Sequence, residues 1–259
     1  MTEHPGSING ERNTETGGNH SQGRNAWPTA LLGLFAWPRQ SFEIIRHRNP
    51  WLATLLLVLA GNAALALASA PLGLQAMRAQ LTERMPGNPE QVDAMMGQFE
   101  QAAAAGRWLA MATGPLSVAV ALAIQTVLVW LLAIALQGRP RFVQSLSLMV
   151  HLAVITHLKS WANFLLLHVR GTDAIRSQLD LQAPMGLDLL LAGDNATLNV
   201  VYASINPFTV WFLALLGLGA AAVFEVPERK AWLLAAIYWA TTTAFTAAAT
   251  GLAARLMPT

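Results

Sequence analysis

Cysteine is absent from the sequence, which excludes a disulfide, a thiolate metal site and a cysteine nucleophile. Charged residues are also scarce, at 12% of the chain, whereas a soluble domain has about 25%. All 14 acidic residues lie outside the long apolar runs, so no run holds a carboxylate that could relay protons or bind a cation. The net charge of +2 is too small to indicate binding to nucleic acid.

Motifs of the common enzyme classes are missing as well. The sequence has no HExxH, no phosphate-binding Gly-Lys-Ser/Thr loop and no GxSxG elbow. Hydroxyl residues occur in the apolar runs, but a lone hydroxyl in a membrane helix usually bonds back to its own backbone. The sequence therefore predicts a protein that is not an enzyme and that uses no cofactor or metal.

Apolar residues make up 54% of the chain, and many of them gather in five long runs. Each run is close to the ~20 residues that a helix needs to cross the hydrocarbon core of a bilayer. The sequence thus predicts an all-α integral membrane protein, a bundle of five transmembrane helices within a membrane domain of residues 27–259. The predicted spans are residues 51–71, 114–136, 142–168, 207–224 and 231–254.

The region before the first span divides into two parts. Residues 1–26 contain almost no aliphatic side chains and cannot bury enough surface to fold, so we expect a disordered cytoplasmic tail. Pro38 then suits the first turn of a helix in which Phe42 and Ile45 share one face. This pattern predicts a short interfacial helix, with a plain juxtamembrane linker as the alternative. Three basic residues are candidate anchors at the membrane surface: Arg39, Arg46 and Arg48.

Basic residues are distributed unevenly between the two sides of the predicted bundle. Segments 37–50, 137–141 and 225–230 are short and together carry seven of them, whereas the long loops 72–113 and 169–206 carry five. By the positive-inside rule, the N-terminus is expected in the cytoplasm and the C-terminus outside. The composition, rich in Ala and Leu, favours a bacterial cytoplasmic (inner) membrane.

Both long loops would then be external, and both contain helical patterns. Asn88 is a good N-cap, and the apolar residues after it share one helix face; they are Val92, Met95, Met96 and Phe99. This spacing predicts an amphipathic helix that ends near Gly106. In the second loop, Thr172 is a candidate N-cap for further short external helices, and the glycosylation sequon at Asn195 is interpreted as a chance match.

The third run carries several polar side chains: His151, His157, Lys159, Asn163 and His168. A helix turns about 100° per residue, so His157 lies about 240° from His151 and about 200° from Lys159. Histidines that bind a metal from one helix are usually three or four residues apart. No pair here has that spacing, and this helix alone therefore cannot form a metal site.

Lys159 and Asn163 are four residues apart and share one helix face, and with His157 they form the candidate intramembrane polar site. Lys159 lies about 16 Å along the helix from Arg170. Two interpretations stay open: a structural lysine that snorkels or pairs with a polar group, or a functional position within the membrane. The run is longer than a span needs, which indicates tilt or a break near Lys159 and Ser160.

Three stretches also carry a diffuse family pattern. They are WPRQSFEIIRHRNPWLATLLL before the first span, LQGRPRFVQSLSLMVHLAVITHL after the second, and TLNVVYASINPFTVWFLALLGLGAAAVFEVPERKAWLLAAIYW around the fourth. The Gly-containing turn before Phe-x-Gln-Ser, the Asn-Pro-Phe-x-x-Trp start and the Leu-Gly-Leu-Gly centre resemble bacterial members of the Yip family (Ypt/Rab-interacting membrane proteins). The similarity covers about residues 37–255.

The resemblance implies a polytopic protein with a cytoplasmic N-terminus and no known active site. Eukaryotic members look like adaptors for Rab GTPases and vesicle traffic, and some bacterial relatives are thought to work beside ABC-type exporters. The proline of the eukaryotic motifs is not clearly reproduced here, so Rab binding is not carried over. Within the motif, Trp211 would be a helix anchor, and Gly217 and Gly219 would allow close helix packing.

Two functional hypotheses follow from these observations. The favoured one is a non-enzymatic scaffold or accessory subunit of another membrane system, for example an exporter. Its partners would be the lipid bilayer and either another membrane protein or a second copy of the chain. The alternative is a small transporter or channel component that uses the polar face of the third span.

Overall fold

The computed structural model describes residues 26–171, 175–176, 178–191, 193 and 195–256. This part of the chain is all helical, and five of its helices are long and apolar enough to cross a membrane. The predicted fold class is therefore confirmed. The predicted tail lies outside the described residues except for Ala26, and Thr172 also lies outside them. The candidate spans are Trp51–Arg84, Thr113–Ala135, Phe142–Arg170, Pro207–Phe224 and Glu228–Ala253.

Two short helices precede the first span: α1 (Ala26–Ala36) and α2 (Pro38–Arg48). Pro38 begins α2 as predicted, and Phe42 and Ile45 do share a face. Both side chains are fully buried in the main core, which also contains residues of the later helices. The apolar face of α2 is thus covered by protein rather than by lipid headgroups.

The first two spans belong to a long antiparallel hairpin of α3 (Trp51–Arg84) and α4 (Pro89–Ala135). The helix predicted to end near Gly106 does not end there, because α4 continues to Ala135. One glycine costs a helix only about 1 kcal/mol relative to alanine, and Gly106 follows four alanines, which are the strongest helix formers. Similarly, α3 continues well past residue 71, with Pro71 inside it.

The third span, α5 (Phe142–Arg170), is one unbroken helix. The break considered near Lys159 and Ser160 is therefore wrong. Ser160 stays compatible with the helix because its hydroxyl donates a hydrogen bond to the Thr156 carbonyl oxygen at 3.3 Å. A serine bonded in this way satisfies its own polar group without interrupting the backbone ladder.

A break occurs instead just before the fourth span. Helices α6 (Asp188–Leu191) and α7 (Ala196–Ser204) precede the fourth span, α8 (Pro207–Phe224), and α9 (Glu228–Leu256) follows it. Two residues separate the end of α7 from the start of α8. Asn206 is buried at the break and its Oδ1 accepts the Thr209 N–H at 3.0 Å. Its Nδ2 donates to the Ala203 carbonyl at 2.8 Å. One side chain thus caps α8 and satisfies the end of α7.

Candidate functional site: a polar cavity beside the third span

A cavity of about 650 Å³ lies between α3, α5 and the chain segment of residues 181–188. Lys159 and Asn163, which share one helix face, both line it. The facing wall is supplied by α3 and includes Leu65, Ser69 and Gly73. The predicted polar face of the third span therefore meets a cavity within the protein.

Asn163 holds the segment 181–188 against α5. Its Oδ1 accepts the Ala183 N–H at 2.7 Å, and its Nδ2 donates to the Leu181 carbonyl at 2.9 Å. An asparagine amide offers one acceptor and two donors, so it can satisfy both groups of an irregular backbone that has no helical partners. Leu181 is the last residue of a single 3₁₀ turn, Gln178–Leu181.

The same segment packs against two membrane-spanning helices, which predicts that it lies at membrane depth. Ala183 and Leu167 of α5 belong to one buried cluster with Leu72 and Ala76 of α3. Along α5, Asn163 lies about one helical turn before Leu167. Lys159 lies about two turns before Leu167, a distance of about 12 Å. Irregular backbone is tolerated at such depth only where protein or a cavity surrounds it. We call residues 178–191 the returning segment.

The far end of the returning segment is fixed at the α7–α8 break. The Leu187 N–H donates to the Ile205 carbonyl at 3.1 Å. Gly186 lies so close to this carbonyl that a Cβ there would be 2.5 Å from the oxygen. Asp188 Oδ1 accepts the Gly186 N–H at 2.7 Å and shapes the turn. Hydrogen bonds therefore hold the returning segment near Leu181 and Ala183, and again near Gly186 and Leu187.

This arrangement places an acid beside the intramembrane lysine. Asp188 and Lys159 line the same cavity and carry opposite charges. Asp188 lies outside the five apolar runs, as expected of every acidic residue, but it belongs to a loop that returns to the bundle. Within the described part of the chain, no hydrogen bond to the Lys159 ammonium is found.

His157 does not share this site. Its Nε2 accepts the Trp161 Nε1–H at 3.0 Å. Its ring packs on α3 at Gly61, where a Cβ would lie 2.5 Å from Nε2. His157 therefore joins two helices, and the candidate polar site is reduced to Lys159 and Asn163, with Asp188 added.

The other two histidines of the span are also separated from each other. His151 is buried, and its Nδ1 lies 2.7 Å from the Ser147 carbonyl oxygen, to which it can only donate. Its Nε2 then accepts the Thr54 hydroxyl at 3.1 Å. His168 bonds the Phe164 carbonyl at 2.9 Å. The described residues contain no group of three or more His, Cys, Asp or Glu side chains that could hold a metal ion.

The proposed surface anchors lie at the opposite end of the bundle from the hairpin turn. Arg46 forms an ion pair with Glu225, the residue after α8, and its carbonyl accepts the Gln144 Nε2–H at 3.0 Å. Arg46 thus links α2 to α5 and α8. Arg39 and Arg48 are both exposed, and Arg48 also interacts with another group of the protein.

The small residues of α8 lie at helix contacts. A Cβ on Gly219 would be 2.6 Å from Leu148 of α5 and 3.1 Å from Phe42 of α2. On Gly217 it would be 2.9 Å from the Trp232 ring of α9. Trp211 meets Phe35 of α1 edge-on, with 5.1 Å between ring centroids. The α8 helix is therefore in contact with helices on several sides.

Five apolar helices and these glycine contacts agree with a match to the Yip1 domain profile over residues 32–249. The chain belongs to the Yip1 domain family. The resemblance seen in the sequence is thus confirmed at the level of the family, and membership of its bacterial branch stays a prediction. Comparisons of this Yip1 domain protein with curated proteins and with solved structures gave no match.

Proposed function

We propose that this Yip1 domain protein is a non-enzymatic scaffold or accessory subunit that contacts another membrane protein through the α3–α4 hairpin. The observation that carries the proposal is the length of these helices, 34 and 47 residues. About 20 residues suffice to cross the hydrocarbon core. The apolar sequence of α3 ends near Leu74 and that of α4 begins near Ala102, so the hairpin extends about 15–20 Å beyond it.

The part of the hairpin that projects beyond the apolar sequence is held together by contacts between α3 and α4, as a docking element requires. Arg78 of α3 bonds Asp93 of α4 at 2.5 Å, and Val92 and Met96 are buried. Gln91 and Gln98 are seven residues apart on one exposed face of α4. A hairpin stabilised on its inner face leaves this outer face for a partner.

Site-specific cross-linking in native membranes tests the proposal. A photoreactive residue replaces Gln91 or Gln98, and Arg229 at the start of α9, also exposed, is the matched control. Adducts of one defined mass at the hairpin positions, absent at Arg229, support the docking role. Hairpin positions that capture only lipid, together with isolation of a lone monomer after gentle solubilisation, contradict it.

A second candidate, a small transporter or channel component, is favoured by the cavity at Lys159. Potassium and chloride fluxes into proteoliposomes test it. If the cavity lies on the pathway, Lys159→Ala abolishes the flux, whereas His157→Ala, which alters a residue outside the cavity, leaves most of it. Wild-type protein without flux, or flux unchanged by Lys159→Ala, contradicts this candidate.

We also propose that the hairpin is external and the N-terminus cytoplasmic, in a bacterial inner membrane. The support is the excess of basic residues in the short segments at the other end of the bundle. The ends of α4 and α8, the starts of α5 and α9, and Arg46 all meet at that end.

A further inference from the structure

The cavity beside Lys159 is open toward the bilayer. Ala66 and Ala70 of α3 and Thr156 of α5 line it and are exposed, although all three lie in membrane-spanning helices. A volume of about 650 Å³ is within the range of ~300–1,000 Å³ typical of small-molecule sites. A molecule that reaches the cavity through this side must come from the lipid phase.

The two charged groups of the cavity have opposite signs. Lys159 offers an ammonium group without a hydrogen-bond partner among the described residues, and Asp188 offers a carboxylate oxygen beside the one that bonds Gly186. Both are half-buried. A purely anionic ligand would be repelled by Asp188, and a purely cationic one by Lys159. A ligand that carries both charges satisfies both groups.

Hydroxyl and apolar side chains complete the surroundings. Ser69 and Ser160 stand on facing helices, and each hydroxyl donates its proton to its own helix backbone and keeps acceptor sites for a ligand. Leu65, Leu72 and Phe164 supply an apolar surface next to them. Asn163 uses its Oδ1 and one Nδ2–H to hold the returning segment, so its role here is to position that segment.

We infer that this cavity binds the headgroup of a zwitterionic phospholipid, with the phosphate at Lys159 and the ammonium at Asp188. The acyl chains lie along the apolar wall and leave through the opening at Ala66, Ala70 and Thr156. The inference concerns binding, and it depends neither on the partner of the hairpin nor on transport.

Filling the cavity tests the inference without removing a charge. A Cβ on Gly73 meets nothing within 4 Å, and Gly73 lines the cavity, so Gly73→Leu places a side chain in the site with no clash at its Cβ. Gly97 of α4 is equally open and lies away from the cavity, which makes Gly97→Leu the matched control. Both variants are checked for a monodisperse, helical protein.

The full chain is placed in vesicles of equal parts ethanolamine phospholipid and anionic glycerol phospholipid and is then extracted. Native mass spectrometry counts the lipid molecules that the protein retains. We expect the wild type and Gly97→Leu to retain one ethanolamine phospholipid each, and Gly73→Leu to retain at least about tenfold less. Equal retention by Gly73→Leu overturns the inference. So does binding of free phosphoethanolamine in preference to the lipid when both are supplied at equal concentration, because the ligand would then be a soluble solute.

Charge variants test the assignment of the two ends of the headgroup. Lys159→Met keeps most of the side-chain length and is expected to lower retention at least about tenfold. Lys230→Met removes a lysine at the start of α9, outside the cavity, and should change nothing. Asp188→Asn should shift the preference toward the anionic lipid. Retention unaffected by Lys159→Met, or an anionic lipid preferred by the wild type, contradicts the assignment.

Discussion

Asn163 of α5 and Ala183 of the returning segment are joined by a hydrogen bond of 2.7 Å from the alanine N–H to the asparagine Oδ1. The same amide holds the Leu181 carbonyl. This pair of bonds turns a loop into a wall of the cavity and brings Asp188 to Lys159. The central claim is therefore that part of the connection between the third and fourth spans lies at membrane depth.

Asn163→Leu should destabilise the returning segment. Two backbone groups lose their partners, and each unsatisfied buried group costs about 1–3 kcal/mol. We expect the free energy of unfolding in micelles to fall by about 2 kcal/mol or more. Asn199→Leu is the control, since Asn199 makes the same pair of amide bonds to Gly193 at an exposed site. An equal loss in both variants would argue against a special role for Asn163.

Thr54→Val should reveal the buried contact between α3 and α5. The substitution keeps the shape but removes the hydroxyl that bonds His151 Nε2 at 3.1 Å. The unfolding free energy should fall by about 1–3 kcal/mol. Thr246→Val removes an exposed hydroxyl that bonds only its own helix and should be nearly neutral. A neutral Thr54→Val would mean that the imidazole finds another partner.

Gly219→Ala should destabilise the α8 contacts. The new Cβ would lie 2.6 Å from Leu148, and overpacking of this kind costs about 1–3 kcal/mol. Gly97→Ala, which meets open space, should stabilise its helix by about 0.5–1 kcal/mol. Thermal unfolding of both variants checks the difference in sign. Equal melting temperatures would show that α8 moves freely away from α5.

Labelling with a membrane-impermeant maleimide should report the orientation. Because the chain has no cysteine, each introduced cysteine gives an unambiguous signal. Gln98→Cys on the hairpin should react in intact cells, and Glu228→Cys at the start of α9 should react only after the cells are opened. Both native side chains are exposed. The reverse pattern would place the N-terminus outside.

The sequence predicted what depends on local pattern. Apolar runs predicted the fold class, the observed bounds of α8 match the predicted 207–224, and the four-residue spacing of Lys159 and Asn163 predicted that they share one helix face. Helix ends were predicted less well, because Gly106 and Pro71 lie inside helices that packing and the apolar environment maintain.

The site itself depends on contacts between distant parts of the chain. Asp188 lies by sequence in the connection between two spans, and the bonds of Asn163 and Ile205 bring it beside Lys159. The partners of Asn163 are backbone groups of Leu181 and Ala183, which carry no distinctive side-chain signal. Proximity in sequence is not sufficient either, because His157 is close to Lys159 in the chain but does not line the cavity.

The depth of the returning segment is the most direct test of the central claim. A nitroxide at Gln182, which is exposed and lines the cavity, is measured by power-saturation EPR in bilayers. Its relative accessibility to oxygen and to a water-soluble nickel complex is compared with labels at Leu165 of α5 and Gln91 of the hairpin. The structure predicts a depth close to that at Leu165. Accessibility to nickel equal to that at Gln91 would place the segment in water and contradict the claim.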